Sequence, residues 1–228
     1  MKTEELVSLA RKRGGASPRA RPAALVRSLG LADYASTWEA MRRFTAERSA
    51  GTPDELWVLE HPPVYTAGIA ARSEHFPKHP GIPLVRTDRG GQITYHGPGQ
   101  AIVYTLIDLE RRRLTVRAMV ALIEQAVIDT LEQLGVKAGR KAGAPGVYVA
   151  GAKIAALGLR VRRGACYHGV ALNVAMDLAP FSDIDPCGYP GLAVTQTSAQ
   201  GVAGHAQSLG QALARRIANL LETRLEAR

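Results

Sequence analysis

Between Leu56 and Val174 the chain runs through short β-rich segments cut by proline and glycine, with a single long helical pattern among them. The segments read LWVLEH at 56–61, PLVRT at 83–87, GQITYH at 91–96 and AIVYTLI at 101–107, followed after the helix by GVYVAG, KIAALGLRV and CYHGVALNV. A TIM barrel or a doubly wound nucleotide-binding fold would alternate strand and helix repeatedly, and this order does not. It predicts an α/β fold of the α+β type, with the strands in one mixed sheet flanked by helices. Asp33 is placed to cap a helix whose Tyr34, Trp38, Met41 and Phe44 recur every three or four residues up to Gly51. From Thr115 to Leu134 a second helix sets Val116, Val120, Ile123, Val127, Leu131 and Leu134 on one face and stops at Gly135. A third uses Leu209, Leu213, Ile217, Leu220 and Leu221.

With 228 residues, 46% of them hydrophobic and 21% charged, the chain is long enough to bury one substantial core. We expect a basic, flexible arm over residues 1–22, where Lys2, Arg11, Lys12, Arg13, Arg19 and Arg21 sit among small residues, and a single domain over 23–228. Glu4 and Glu5 argue against reading the arm as a mitochondrial transit peptide, which would be poor in acids. The net charge of +9 favours an acidic partner, but aromatic residues make up only 5% and no basic stretch is interleaved with them, which argues against nucleic acid. No apolar run approaches the ~20 residues of a membrane span, and the N-terminus lacks the apolar centre of a signal peptide. We therefore expect no membrane partner and a cytoplasmic location. Cys166 and Cys187 are the only cysteines, too few for a disulfide scaffold and consistent with a reducing compartment.

Three stretches carry unusual chemistry. RGGQITYHGPGQ, residues 89–100, holds four glycines between two apolar runs and reads either as a loop that brings backbone N–H groups close to a substrate or as a glycine-rich hairpin turn. It matches neither a P-loop nor a dinucleotide fingerprint. GAKIAALGLRVRRG, residues 151–164, sets Lys153 among Gly151, Ala152, Ile154, Ala155 and Ala156, where the side chain either snorkels to solvent or is held for a purpose. A lysine kept in a partly dry pocket near other cations, here Arg89, Arg160 or Arg162, can act as a base near neutral pH. In Asp185-Pro186-Cys187-Gly188-Tyr189-Pro190 the cysteine lies in a turn, reachable as a nucleophile must be, whereas Cys166 begins an alternating strand as a small packed residue would. A base for Cys187 could come from Lys153, His96 or His168, and spacing does not choose among them. None of the six histidines forms a metal-ligand pair, so we expect no metal, and no GxSxG elbow supports serine hydrolysis.

RGGQITYHGPGQ, GAKIAALGLRVRRG and YHGVALNVAMDLAPFSDIDPCGYPG, in this order and spacing, resemble the lipoyl(octanoyl) transferases of lipoate biosynthesis, from about Leu56 to Thr197. The resemblance implies a catalytic fold like that of biotin protein ligases and lipoate-protein ligases. It further implies transfer of octanoyl from octanoyl-acyl carrier protein to the target lysine of lipoyl domains, those of the 2-oxoacid dehydrogenase complexes and the glycine cleavage H protein, with no cofactor. Carried over by position, Cys187 would hold the acyl thioester, and Lys153 would favour its thiolate and move protons. Arg89, Gly90, Gly91, Gln92, Ile93, Thr94, Tyr95 and His96, with Ala156, Leu157 and Gly158 and with Gly169, Val170 and Ala171, would line the acyl pocket. Backbone N–H groups around Lys153 and Ile154 or at Gly188 are candidates for stabilising the oxyanion. Two other readings stay open: an ATP-dependent lipoate-protein ligase of the same superfamily, which would need no cysteine, and a basic binding module without catalysis.

Overall fold

The computed structural model describes residues 23–77, 81–185 and 191–226; the expected arm at 1–22 lies outside them, as does Cys187. The strands are β1 (Leu25–Leu31), β2 (Glu55–Glu60), β3 (Val64–Ala67), β4 (Leu84–Arg86), β5 (Ile93–His96), β6 (Gln100–Asp108), β7 (Gly139–Lys141), β8 (Ala144–Val149), β9 (Ala152–Arg162) and β10 (Ala165–Asn173). The helices are α1 (Tyr34–Ala46), α2 (Leu109–Arg112), α3 (Val116–Glu132) and α4 (Ala206–Glu226).

The expected single sheet is two. Seven strands form one, in the order β1-β2-β6-β10-β9-β8-β7, and three form the other, β4-β3-β5. The breaks fall where proline removes a donor and bends the chain: His61-Pro62-Pro63 separates β2 from β3, and Gly97-Pro98-Gly99 separates β5 from β6. Both sheets are mixed, because β1 runs parallel to β2 and β4 parallel to β3 while the other pairs are antiparallel.

Strand β1 carries none of the signals that mark a strand in sequence. All seven of its residues are exposed at the sheet edge, so LVRSLGL shows no alternation. Strand β10 lies at the other extreme, with all nine residues buried because both faces of the large sheet are covered. Cys166, Val170 and Leu172 pack with Met119, Leu122 and Ile123 of α3 and Leu213 and Ile217 of α4. Tyr167 and Ala171 pack on the opposite face with Met41 of α1, Trp57, Ile102 and Tyr104.

Asp33 caps α1, accepting from the Ser36 amide at 2.9 Å, and Thr115 caps α3 in the same way from Ala118. The α3 stripe needs one correction. Ile123, Val127 and Leu131 are buried, but Val116 is exposed in the first turn and Leu134 lies beyond the last, and Met119, Leu122 and Ala126 fill the interface instead. A helix packed on a sheet buries a broad stripe, wider than a single row of equivalent positions.

Asp54, fully buried just before β2, ties the ends of three elements together. Its carboxylate accepts from Arg48 at 2.5 Å, Arg111 at 2.6 Å, Arg112 at 2.7 Å and the Asp108 amide at 2.8 Å. Burial opposes its ionisation, but the Asp108 amide and the Arg112 guanidinium outweigh that and hold the carboxyl below its usual range. Removing the charge leaves three guanidinium groups without their shared anion. Asp54→Asn is expected to lower the unfolding free energy by about 3–5 kcal/mol, read by urea denaturation. Because the native carboxyl titrates below the unfolded one, this contribution is complete above the ordinary carboxylate range and fades as pH falls through the native value, so the difference between wild type and variant should shrink on acidification.

Candidate active site

The register of the large sheet writes a trough across its α1 face. Leu59 pairs with Ile102, Ile102 with Ala171 and Ala171 with Ala156; one step along, Trp57 pairs with Tyr104, Tyr104 with Gly169 and Gly169 with Gly158. Bulky residues on β2 and β6 thus give way to alanine and glycine on β10 and β9. Gly158 also admits the loop above it: a Cβ there would lie 2.7 Å from the carbonyl oxygen of Gly90, whose amide bonds Leu159 at 2.9 Å. The Arg89–Gln92 loop is thereby fastened to β9, and a cleft of about 520 Å³ opens between the two sheets.

This cleft gathers most of the residues singled out in the sequence. Arg89, Gly91, Gln92, Ile93, Thr94 and His96 line it from one side, and Ala156, Leu157, Gly158, Gly169, Val170 and Ala171 from the other. Gly90 and Tyr95 do not. Gly90 faces β9 through its backbone, and Tyr95, alternating with Thr94 and His96, packs away from the cleft against Tyr65 and Phe181. Tyr34, Ile102, Tyr104 and His168 complete the lining. Of these only His168 stood out in the sequence, because the other three read as ordinary core positions of a helix and a strand.

Lys153 does not snorkel. It is 4% exposed, its Nζ donates to the Pro145 carbonyl at 3.0 Å and lies 5.4 Å from the Tyr148 ring centre. It borders a recess of about 280 Å³ that shares Thr94 and Ala156 with the cleft. Gly146 makes room for it, since a Cβ at that position would lie 2.7 Å from Lys153 Cε. The Lys153 amide is bonded to Ala193 O at 2.8 Å, so the expected oxyanion donor at that position is already engaged. Arg89, named with Arg160 and Arg162 as a neighbouring cation, instead anchors on Thr66 and the Gly90 carbonyl. Cys187, the expected nucleophile, lies outside the described residues. Cys166 is fully buried, with its thiol pushed up to about 12 by burial, as a packing cysteine should be.

The histidines in and beside the cleft are oriented and neutral. His61 donates from Nδ1 to the Ala32 carbonyl at 2.6 Å, so its Nε2 accepts from the Tyr104 hydroxyl at 2.7 Å. His96 donates from Nδ1 to Gln100 Oε1 at 2.7 Å. Burial lowers His61 to about 4 and, joined by the neighbouring His61, lowers His96 to about 3. His168 Nε2 lies 2.9 Å from Asp88, a carboxylate that also accepts from Trp38 at 2.8 Å and from the Tyr167 hydroxyl. Burial opposes ionisation of Asp88, but the bonds from His168, Tyr167 and Trp38 prevail and hold it well below the usual carboxylate range. Burial also lowers His168 despite that partner. No group of three or more His, Cys, Asp or Glu side chains among the described residues is arranged to hold a metal ion.

These neutral histidines make stability depend on pH. Unfolded, each takes up a proton near pH 6.5; folded, His61 and His96 do so only near 4 and 3. Between those values the unfolded chain binds more protons, so stability is greatest above pH 6.5 and falls by about 1.4 kcal/mol per pH unit for each histidine as pH drops. Urea denaturation from pH 7.5 to 4.5 should show this slope, and His61→Gln should reduce it.

The model of the lipoyl protein ligase A/B catalytic domain matches residues 33–219. The octanoyltransferase of Aromatoleum aromaticum is 61% identical over 204 residues, covering 90% of this chain and 88% of its own. In fold, the chain is similar to the bipartite lipoate protein ligase of Thermoplasma acidophilum, solved in a study of that ligase and its E2 lipoyl domain, with a TM-score of 0.70, 19% identity and coverage of 87% and 84% of the two chains. It is also similar to the biotin protein ligase of Aquifex aeolicus, with a TM-score of 0.55, 11% identity and coverage of 90% and 72%. With this identity over nine-tenths of its length and a family match that spans every lining residue of the cleft, the chain belongs to the octanoyltransferase family within the lipoyl protein ligase A/B catalytic domain.

Proposed function

We propose that this member of an acyltransferase family transfers octanoyl from octanoyl-acyl carrier protein to the target lysine of lipoyl domains, through a thioester on Cys187. The observation that carries the reading is the cleft itself: a trough floored by alanine and glycine, walled mainly by aliphatic, aromatic and uncharged polar groups with Arg89 on its loop side, leading to a buried lysine. Such a trough suits a saturated acyl chain, which offers nothing for charge or hydrogen bonds to hold. Arg89, Gly91, Gln92, Ile93, Thr94 and His96 with Ala156 to Gly158 and Gly169 to Ala171 are its proposed substrate contacts, and Gly90 and Tyr95 support them from behind.

In the first half-reaction the Cys187 thiolate attacks the octanoyl carbonyl carbon, and the carrier's pantetheine thiolate leaves. A cationic Lys153 favours the Cys187 thiolate over the thiol and gives its proton to the departing pantetheine thiolate, so that it enters the second half-reaction neutral. In the second, the neutral amine of the lipoyl-domain lysine attacks the enzyme thioester, Lys153 accepts the proton the amine releases, and the cysteine leaves as thiolate while the amide forms. One thioester is exchanged for another, so the acyl group stays activated and no nucleotide is consumed. The acceptors are the lipoyl domains of 2-oxoacid dehydrogenase complexes and the glycine cleavage H protein. The setting is cytoplasmic; among the described residues no helix is long and apolar enough to cross a membrane. The chain's charge of +9 is suited to acidic protein partners of this kind.

Intact-protein mass spectrometry after mixing with octanoyl-acyl carrier protein tests this directly. An octanoyl adduct on the Cys187 peptide is expected, labile to hydroxylamine, discharged by an apo lipoyl domain and absent from Cys187→Ala. Lys153→Ala should slow turnover about 10²–10⁴-fold. Full activity of Cys187→Ala that depends on ATP and free acid would replace the reading with that of a ligase.

A further inference from the structure

A saturated chain calls for an apolar trough, yet one end of this trough is polar and strained. His168 occupies it with a φ of 62°, a left-handed conformation that costs a non-glycine residue about 1–3 kcal/mol. Regular alternation along β10 would turn His168 toward α3 and α4, the side taken by Cys166 and Val170. Instead the ladder to β6 is interrupted between Cys166 and Gly169, Thr105 Oγ1 takes up the His168 carbonyl at 3.1 Å, and the ring lies against Tyr167 and Tyr104 in the cleft. The ring is held there by Asp88, itself held by Trp38 and Tyr167. Nε2 donates to this carboxylate, so the lone pair is on Nδ1, a buried atom with no hydrogen-bond partner among the described residues. The whole residue is 1% exposed.

Register gives the distances. Ala171 and Ala156 pair at the end of the trough that adjoins the Lys153 recess, and His168 pairs with Leu159 three residues further along. At about 3.3 Å per residue the floor between them is about 10 Å long. An extended eight-carbon chain, with C–C bonds of about 1.5 Å, measures about 9 Å. With its carbonyl at the Lys153 end, its last methyl reaches the imidazole. At the far end of the chain, about 10 Å of strand from the carbonyl, the ring meets the last methyl and not the reacting carbon.

We propose that the Asp88-anchored imidazole of His168 is the end wall of the acyl trough and limits the bound chain to about eight carbons. A longer chain would have to displace a ring fixed by its backbone, a carboxylate and a stacked tyrosine, or bury methylene against an unpaired acceptor. The inference rests on the octanoyl-transfer reading. Its test compares transfer rates from octanoyl-, decanoyl- and dodecanoyl-acyl carrier protein to an apo lipoyl domain. The wild type should lose about tenfold or more in kcat/KM from eight to ten carbons. His168→Gly, which accepts the φ of 62°, and His168→Asn, shorter and also tolerant of it, should each raise the decanoyl-to-octanoyl ratio at least tenfold. A wild-type profile that is flat through twelve carbons overturns the wall, as does an unchanged ratio in either variant once circular dichroism shows it folded; should neither fold, the wild-type profile decides. If the wild type transfers no octanoyl at all, the functional reading falls and the wall falls with it. Octanoyl transfer with unaltered chain preference removes the wall alone.

Discussion

Gln100, the first residue of β6, commits its whole side chain to the boundary between the two sheets. Its Nε2 donates to the Tyr95 carbonyl at 3.3 Å and to Asn173 Oδ1 at 2.9 Å, and its Oε1 accepts from His96 at 2.7 Å. Through these bonds β5 of the small sheet is joined to β6 and β10 of the large one. Asn173 passes the connection to the Thr195 carbonyl at 2.9 Å, and the Thr195 amide bonds the Lys153 carbonyl at 2.9 Å. In the other direction His96 meets Thr66, which receives Arg89. One buried chain of hydrogen bonds thus runs behind the cleft from the loop that covers it to the strand that carries the lysine. Each member left unsatisfied would cost about 1–3 kcal/mol, so sliding one sheet past the other would break several of these bonds at once.

That fixed spacing turns residue size into shape. On β6 and β2 the face toward α1 carries Ile102, Tyr104, Leu59 and Trp57, which fill the layer. On β10 and β9 the same rows carry alanine and glycine, and the volume they leave cannot collapse because the sheets above and below are pinned. Gly169 shows how close the fit is: a Cβ there would lie 2.0 Å from the Val103 carbonyl oxygen. It brings β10 close to β6, and its backbone continues the floor that the small side chains of Ala156 and Ala171 begin.

The glycine-rich segments were legible because glycine at close approach has few substitutes; they marked the Arg89–Gln92 loop and Gly158, which meet at one cleft, and Gly169, singled out through the resemblance, lines it too. The contrast of Cys166 with Cys187 was legible for Cys166 from its apolar neighbours. What stayed hidden depends on contacts remote in sequence. Nothing near Asp88 announces that Trp38, fifty residues earlier, and Tyr167, seventy-nine later, will both donate to it. Tyr34 and Tyr104 read as core because their sides were defined only once α1 and β6 had been laid on the same sheet. The division into two sheets was written in Pro62-Pro63 and Gly97-Pro98-Gly99, yet such breaks look the same whether the next strand rejoins the sheet or leaves it. β1 has no signal because an edge strand exposed on every residue needs no pattern.

The outside and the inside of this molecule follow opposite electrostatic rules, and the proposed chemistry needs both. The chain carries nine excess positive charges, which at physiological salt act over about 8 Å of solvent and so attract acidic proteins without specifying their docking. Inside, the histidines are neutral, and each carboxylate described here is enclosed by donors: Asp54 by three arginines and Asp88 by an indole, a phenol and an imidazole. A carboxylate without such donors would draw water into the trough, and water there would compete with the lipoyl-domain amine for the acyl thioester. Exchange between thioesters is nearly balanced and hydrolysis is not. The proposed transfer therefore depends on keeping the acyl carbon dry until the amine arrives, and a trough whose histidines are neutral and whose neighbouring carboxylates are held by donors favours that.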